Sequence, residues 1–195
     1  MKFLEHEYSL KDVAECGPLA CICHSDCWSN NFLFHFDGDN SVDDVRIVDW
    51  QTLLVENPGK DFYHFFLTSL TPELRKECGQ ELLEHYITTF LSGVKKLGVC
   101  LEDEGLDRHL VTREINKRMR FGLFTGLVIT PSFMDKTVTS KFEEMDQLDI
   151  EVSQENLTKA FGEAQDALTV DMMLTNEPLC QRIIAIAEEL KQILN

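Results

Sequence analysis

Three polar residues near the start of the chain have the side chains and the spacing that phosphoryl transfer requires. Asp26 and Asn31 lie in the segment HSDCWSNNFLF at 24–34, with the spacing H-x-D-x(4)-N, and Asp49 follows the apolar run VRIV at 45–48. In catalytic loops with this spacing the Asp accepts the proton of the attacking hydroxyl, while the Asn and a second Asp bind Mg²⁺ against nucleotide phosphates. Oxygen ligands suit this hard cation. The spacing therefore predicts Asp26 as the catalytic base and Asn31 and Asp49 as metal ligands.

The strands expected around these residues bring them together. The apolar run at 19–23 predicts a buried strand that leads into the loop, and 32–36 and 45–48 predict two further strands. The turn-forming cluster DGDN at 37–40 joins the last two as a hairpin. We therefore expect Asn31 and Asp49 to lie at the two ends of one hairpin.

The rest of the chain is predicted to be mainly helical. Apolar periodicity predicts a buried helix at 61–70, a long helix up to Leu97 that Thr71 caps and Pro72 opens, a helix at 106–129 ended by Pro131, and a last helix from Pro178. Between these, residues 143–171 carry nine acidic residues and one lysine, without a continuous apolar stripe. We interpret 143–171 as a mobile acidic loop.

The same segments resemble a known family. The segment 24–34 resembles the HGDxWxNNxxF signature of the ecdysteroid kinase-like family, also called CHK kinase-like, a relative of the choline kinases and aminoglycoside phosphotransferases. The DWQ at 49–51 resembles the family's DFQ, and DFYHFFLTSL at 61–70 resembles its next helix. The resemblance is clear from about residue 19 to 97.

This resemblance implies a fold, a reaction and further site residues. The fold is α+β, mainly helical: the C-terminal lobe of a protein kinase-like fold, with a small β-hairpin carrying the catalytic loop. The implied reaction is transfer of the γ-phosphate of ATP, with Mg²⁺, to a hydroxyl of a small molecule such as an ecdysteroid or another alcohol. His24, Trp28 and Gln51 are implied to support the loop, and no residue is assigned to hold the nucleotide base.

Two residues depart from the family pattern. Ser25 stands where the family has Gly, and Trp50 stands where it has Phe. Trp50 keeps an aromatic ring. Ser25 is the more serious change, because Gly in such loops often adopts a backbone conformation that a Cβ strains.

The segment before the loop is short. Only 23 residues precede His24, whereas a kinase-like N-terminal lobe needs a Gly-rich loop, a Lys on a strand and a Glu on a helix. We therefore expect residues 1–195 to form a single C-terminal lobe without the nucleotide-binding lobe, as a fragment of an enzyme. The alternative is a non-catalytic remnant lobe that acts as a binding or regulatory module.

Composition limits the partners and the compartment. The net charge of −16 argues against nucleic acid and anionic membranes as partners, since both are polyanions. Seven irregularly spaced cysteines and an N-terminus without an apolar signal segment predict reduced thiols in the cytoplasm. The longest apolar run, 121–129, is too short to span a bilayer.

A cysteine cluster offers one more interpretation. Cys21, Cys23, His24 and Cys27 lie close together in sequence, and Cys21 and Cys23 would share one face of a strand. No second Cys/His pair follows at the spacing of a zinc finger. We therefore prefer buried thiols to a zinc site.

Overall fold

The computed structural model describes residues 16–134 and 176–194. The chain divides into two compact units, Met1–Gly122 and Leu123–Asn195. The first unit contains every described strand and the predicted site. The predicted acidic loop at 143–171 lies outside the described residues, and the single lobe over 1–195 stays a prediction.

Four short strands form two antiparallel pairs in the first unit. Strand β1 (Cys21–Cys23) pairs with β4 (Leu54–Glu56), and β2 (Phe32–Phe36) pairs with β3 (Val42–Ile47). The sequence predicted a strand at 45–48, and the observed strand β3 covers Val42–Ile47. Strand β4 was not predicted, because three residues are too few for an alternating pattern to be recognised.

The turn between β2 and β3 is built on one carboxylate. Asp37 Oδ1 accepts the backbone N–H groups of Asp39 and Ser41, both at 2.9 Å. Asn40 adopts the left-handed conformation, with φ 64°, which Asn tolerates better than most residues. This turn is the one that the DGDN cluster predicted.

Five helices follow the strands. They are α1 (Gly59–Ser69), α2 (Pro72–Lys96), α3 (Arg108–Asn116), α4 (Met119–Met134) and α5 (Glu177–Leu194). The predicted start of α2 is confirmed, because Pro72 is its first residue and Thr71 Oγ1 accepts the N–H of Leu74. The chain is thus α+β and mainly helical, as predicted.

The prediction of one helix at 106–129 was wrong. The structure has two helices there, with a break at Lys117 and Arg118, and α4 continues three residues past Pro131. At the break Arg118 reaches back to the buried carboxylate of Glu56, at 2.8 Å. Apolar periodicity does not register such a long-range ion pair, so the two helices were read as one.

Helix α1 lies at the centre of the first unit. A Cβ on Gly59 would come within 2.5 Å of the carbonyl oxygen of Ile115 in α3, and a Cβ on Gly122 within 2.6 Å of Tyr63 in α1. The glycines therefore allow a close approach that larger residues would prevent. The buried apolar side chains of this unit include Phe62, Tyr63, Leu67, Ile87, Val111, Ile115 and Phe121.

The structure can also be compared with the expectations of reduced thiols and of no membrane-spanning segment. All seven cysteines are free thiols. Within 16–134 and 176–194, no helix combines the length and the apolar character needed to cross a membrane.

Candidate active site

The predicted catalytic loop is held by a carboxylate of helix α1. Asp61 Oδ2 accepts the backbone N–H of His24 at 2.6 Å, and Asp61 Oδ1 accepts that of Ser25 at 2.8 Å. Burial raises the pKa of Asp61, while the two N–H donors oppose that rise. Sequence reasoning did not assign Asp61 a role. Its position as the only acidic residue in the apolar run 61–70 was the available signal.

His24 connects the loop to the end of the hairpin. Its Nδ1 accepts the N–H of Asp26 at 3.3 Å, so the ring proton is on Nε2, which donates to the carbonyl of Val48 at 2.8 Å. The carbonyl of His24 accepts the hydroxyl of Thr52, also at 2.8 Å. The imidazole packs against the ring of Trp50, with centroids 4.9 Å apart. Thr52 is a second residue that sequence reasoning missed.

Asp26 and Asn31 contact each other directly. The amide nitrogen of Asn31 donates to both the carbonyl oxygen and the Oδ2 of Asp26, each at 2.9 Å. Asn31 is buried, with 7% exposure, and Asp26 is half-buried. Because the amide nitrogen of Asn31 faces Asp26, the amide oxygen remains available to accept a hydrogen bond or to bind a cation. No donor among the described residues occupies it.

Asp49 follows the hairpin in an exposed position. Its backbone is left-handed, with φ 64°, and its carboxylate accepts no hydrogen bond from any residue in the described ranges. The carbonyl of Asn31 accepts the N–H of Val48 at 3.0 Å. The backbone thus brings the segments of Asn31 and Asp49 side by side, one before β2 and the other after β3.

The oxygen atoms of Asn31 and Asp49 suit a magnesium–nucleotide complex. Mg²⁺ usually takes one or two protein oxygens and completes its octahedron with phosphates and water. Among the residues that the structure describes, no group of three or more His, Cys, Asp or Glu side chains could hold a metal ion. Two oxygen-bearing side chains fit an ion that takes its remaining ligands from phosphate and water.

The residue that departs from the family pattern carries backbone strain. Ser25 has φ 67°, in the left-handed region. It is 5% exposed, and its hydroxyl has no hydrogen-bond partner among the described residues. A glycine would adopt this conformation without a steric cost.

The other two residues that were predicted to support the loop, Trp28 and Gln51, differ from each other in burial. Trp28 is half-buried, and its carbonyl accepts the N–H of Asn31 at 3.0 Å. Gln51 is exposed in the short 3₁₀ turn Trp50–Thr52. Within the described part of the chain its side chain makes no hydrogen bond, and the neighbouring Thr52 makes the contact to the loop instead.

An apolar cavity lies beside the loop. Its volume is about 280 Å³. It is lined by Cys27, Phe32, Ile47, Asp61, Phe62, Phe65, Leu82, His85, Tyr86 and Thr89. Burial raises the pKa of the Cys27 thiol to about 12, so this wall of the cavity is uncharged at neutral pH.

A helical α+β unit with a braced loop and a short hairpin is compatible with a lobe of a kinase-like phosphotransferase. The family comparison agrees, because the profile of the ecdysteroid kinase-like family matches residues 2–99, about half of the chain. The chain belongs to this family. No curated protein and no solved structure matches it.

Proposed function

We propose that this chain contributes the catalytic loop of an ATP-dependent phosphotransferase, which transfers the γ-phosphate to a hydroxyl of a small molecule. The observation that carries the proposal is the contact between Asp26 and Asn31 within a loop braced by His24. It holds a carboxylate beside an amide oxygen that is free to bind a cation. Membership of the family supports a kinase-like phosphotransferase in general.

Asp26 is proposed as the general base. Asn31 holds one carboxylate oxygen, Oδ2, which leaves Oδ1 to accept the proton of an incoming hydroxyl. In phosphoryl transfer the protein chiefly positions the reactants and offsets developing charge. Fixing the carboxylate in one rotamer is therefore a direct contribution to the rate.

Asn31 and Asp49 are proposed to hold Mg²⁺ together with the phosphates of ATP. The ion supplies positive charge to the phosphate oxygens at a site where the protein itself is acidic. The contribution of this chain is the spacing between the two segments, which the bond between Asn31 and Val48 fixes.

The apolar cavity beside Cys27 is proposed to receive the carbon skeleton of the acceptor. Its volume of about 280 Å³ lies just below the range of about 300–1,000 Å³ that is usual for ligand pockets. A compact alcohol or phenol, or one end of a larger molecule such as an ecdysteroid, suits this size.

Two other expectations from the sequence remain predictions. They are the kinship with choline kinases and aminoglycoside phosphotransferases, and a cytoplasmic location.

Calorimetric titration of this chain with ATP and Mg²⁺ tests the nucleotide site. We expect binding by the wild type that is lost in Asp49→Ala. Asp39→Ala is the matched control, because Asp39 is an exposed acid at the other end of the same hairpin. Equal loss of binding in both variants contradicts the proposed metal site. Absence of binding by the wild type would mean that this lobe does not hold the nucleotide without an N-terminal lobe.

A further inference from the structure

Two thiols lie close together on the strand that precedes the catalytic loop. Cys21 and Cys23 project from the same face of β1, while Ile22 between them is 74% exposed on the other face. Their sulfur atoms are 3.9 Å apart. We propose that Cys21 and Cys23 are a redox-active dithiol, which a hydroperoxide converts into a disulfide within the strand. This site does not depend on the proposed phosphotransferase activity.

The two cysteines differ in access, which assigns them different roles. Cys21 is half-buried and lines a cleft of about 610 Å³ together with residues such as Pro18, Tyr86 and Val94. Cys23 is 2% exposed. A small peroxide therefore reaches Cys21, and Cys23 needs to reach only its neighbour.

Their ionisation favours the same assignment. A hydrogen bond from the Cys23 thiol lowers the pKa of Cys21, although burial and the nearby carboxylates of Asp61 and Glu56 act in the opposite direction. The same bond, with burial, raises the pKa of Cys23. The thiolate is the reactive form of cysteine, so Cys21 is the attacking residue. The Cys23 sulfur also lies 3.4 Å from the carbonyl oxygen of Glu56, to which it can donate.

The reaction has two steps and transfers two electrons. In the first, the Cys21 thiolate attacks a peroxide oxygen, an S–O bond forms, the O–O bond breaks, and the leaving alkoxide or hydroxide takes up a proton. Cys21 is then a sulfenic acid. In the second, Cys23 gives up its proton and attacks the sulfur of Cys21, so that the S–S bond forms and the hydroxyl leaves as water. Two thiols are oxidised to one disulfide, and one hydroperoxide is reduced to an alcohol and water, or to two waters when it is hydrogen peroxide.

The disulfide requires β1 to bend. Residues two apart in a strand have Cα atoms about 6.6 Å apart, near the upper limit of about 6.8 Å for disulfides. Strand β1 is three residues long and pairs only with β4 in its sheet, so it has little structure to resist bending. Strained disulfides are more easily reduced, and we therefore expect the bond to be reversible.

Bending β1 acts directly on the loop. Cys23 is followed by His24, whose backbone N–H donates to Asp61 and whose ring packs against Trp50. A shift of Cys23 therefore moves His24 relative to Trp50. In a Trp28→Phe variant Trp50 is the only tryptophan, so its fluorescence reports this movement.

The test treats the reduced full chain with hydrogen peroxide, blocks the remaining thiols with iodoacetamide and analyses the tryptic peptides by mass spectrometry. Trypsin releases residues 12–46 as one peptide, which contains Cys16, Cys21, Cys23 and Cys27. We expect a Cys21–Cys23 link, with a mass lower by two hydrogens, that dithiothreitol reverses. The tryptophan fluorescence of the Trp28→Phe variant should change and recover in parallel.

The controls separate this pair from the other thiols. Cys21→Ser and Cys23→Ser should each abolish the link, whereas Cys100→Ser, at an exposed position, should leave it intact. The measurement on the wild-type chain tests the proposed link even if one of the variants does not fold. A link from either residue to Cys16 or Cys27, a link between two chains, or oxidation of Cys21 to sulfinic acid without a link would overturn the proposal.

Discussion

Asp61 and His24 are separated by 37 residues in the chain, yet the carboxylate of Asp61 accepts the backbone N–H of His24 at 2.6 Å. The same carboxylate accepts the N–H of Ser25. A single side chain on helix α1 thus fixes two consecutive peptide groups immediately before Asp26. The shape of the loop depends on where α1 begins as much as on the loop sequence.

Asp61→Ala should destabilise the protein. The substitution leaves two buried N–H groups without their acceptor. A hydrogen bond to a charged group contributes a net stabilisation of roughly 1.5–3 kcal/mol. We expect the free energy of unfolding in urea to fall by about 3 kcal/mol. Asp39→Ala, at an exposed turn, should change it little. An unchanged stability of Asp61→Ala would show that the loop keeps its shape without this carboxylate.

Ser25→Gly should stabilise the protein. Ser25 adopts φ 67°, which costs a residue with a Cβ roughly 1–2 kcal/mol, and its hydroxyl is buried. Glycine removes this cost but adds entropy to the unfolded chain, so we expect a net gain of about 1 kcal/mol in urea unfolding. Ser41→Gly, at an exposed position without a left-handed backbone, should gain nothing. A loss of stability in Ser25→Gly would mean that the Ser hydroxyl has a partner.

In a full-length form that includes a nucleotide-binding lobe, Asp26→Asn should remove phosphotransferase activity without unfolding the protein. The amide oxygen can still accept the hydrogen bond from Asn31, but it cannot take a proton from the acceptor hydroxyl. Loss of a general base typically lowers the rate by about 10²–10⁴-fold, which kcat measurements would detect. Asp44→Asn, on the exposed face of β3, is the control. A wild-type rate in Asp26→Asn would remove Asp26 from the role of base.

The buried His64 should make stability depend on pH. It is 1% exposed, its ring nitrogens have no partner among the described residues, and burial lowers its pKa to about 4. The unfolded chain then binds a proton near pH 6.5 that the folded chain binds only near pH 4. The free energy of unfolding should therefore fall as the pH drops through this window, by on the order of 3 kcal/mol.

His64→Phe isolates this contribution. The ring packs edge-on against Phe121, with centroids 6.4 Å apart, so a phenyl ring suits the site. The ionisable groups that act on His64 are Asp26, Lys60 and His24, and they remain in the variant. Urea unfolding at pH 7.5, 6 and 5 should show a weaker pH dependence for His64→Phe than for the wild type. Parallel curves would contradict the depressed pKa.

Filling the cavity should weaken acceptor binding. Leu82→Trp places a larger side chain in a wall of the cavity, so KM for a phenolic or compact apolar alcohol should rise while KM for ATP stays the same. Leu74→Trp makes the same change on the same helix at a position that is 45% exposed, and it should leave both constants unaltered. Equal effects of the two variants would place the acceptor elsewhere.

Local signals in the sequence were sufficient for some parts of this structure. Thr71 and Pro72 predicted the start of α2 because a helix cap depends on residues next to it. Backbone strain at Ser25 was anticipated from its departure from the family pattern, and the structure shows it as a left-handed conformation. Strand β4 was missed because it is only three residues long. Asp61 and Thr52 were missed because their hydrogen-bond partner, His24, lies 37 and 28 residues away in the chain. The break between α3 and α4 was missed for the same reason, since Arg118 and Glu56 are 62 residues apart.

The close contact at Gly59 has an evolutionary consequence. Because a methyl group there would collide with the backbone of Ile115, the first turn of α1 cannot change its position without displacing α3. Asp61 lies in that turn and also lines the cavity. Variation in acceptor preference among related chains should therefore accumulate on the α2 wall, at Leu82, His85 and Thr89, where a substitution alters the cavity without moving the loop.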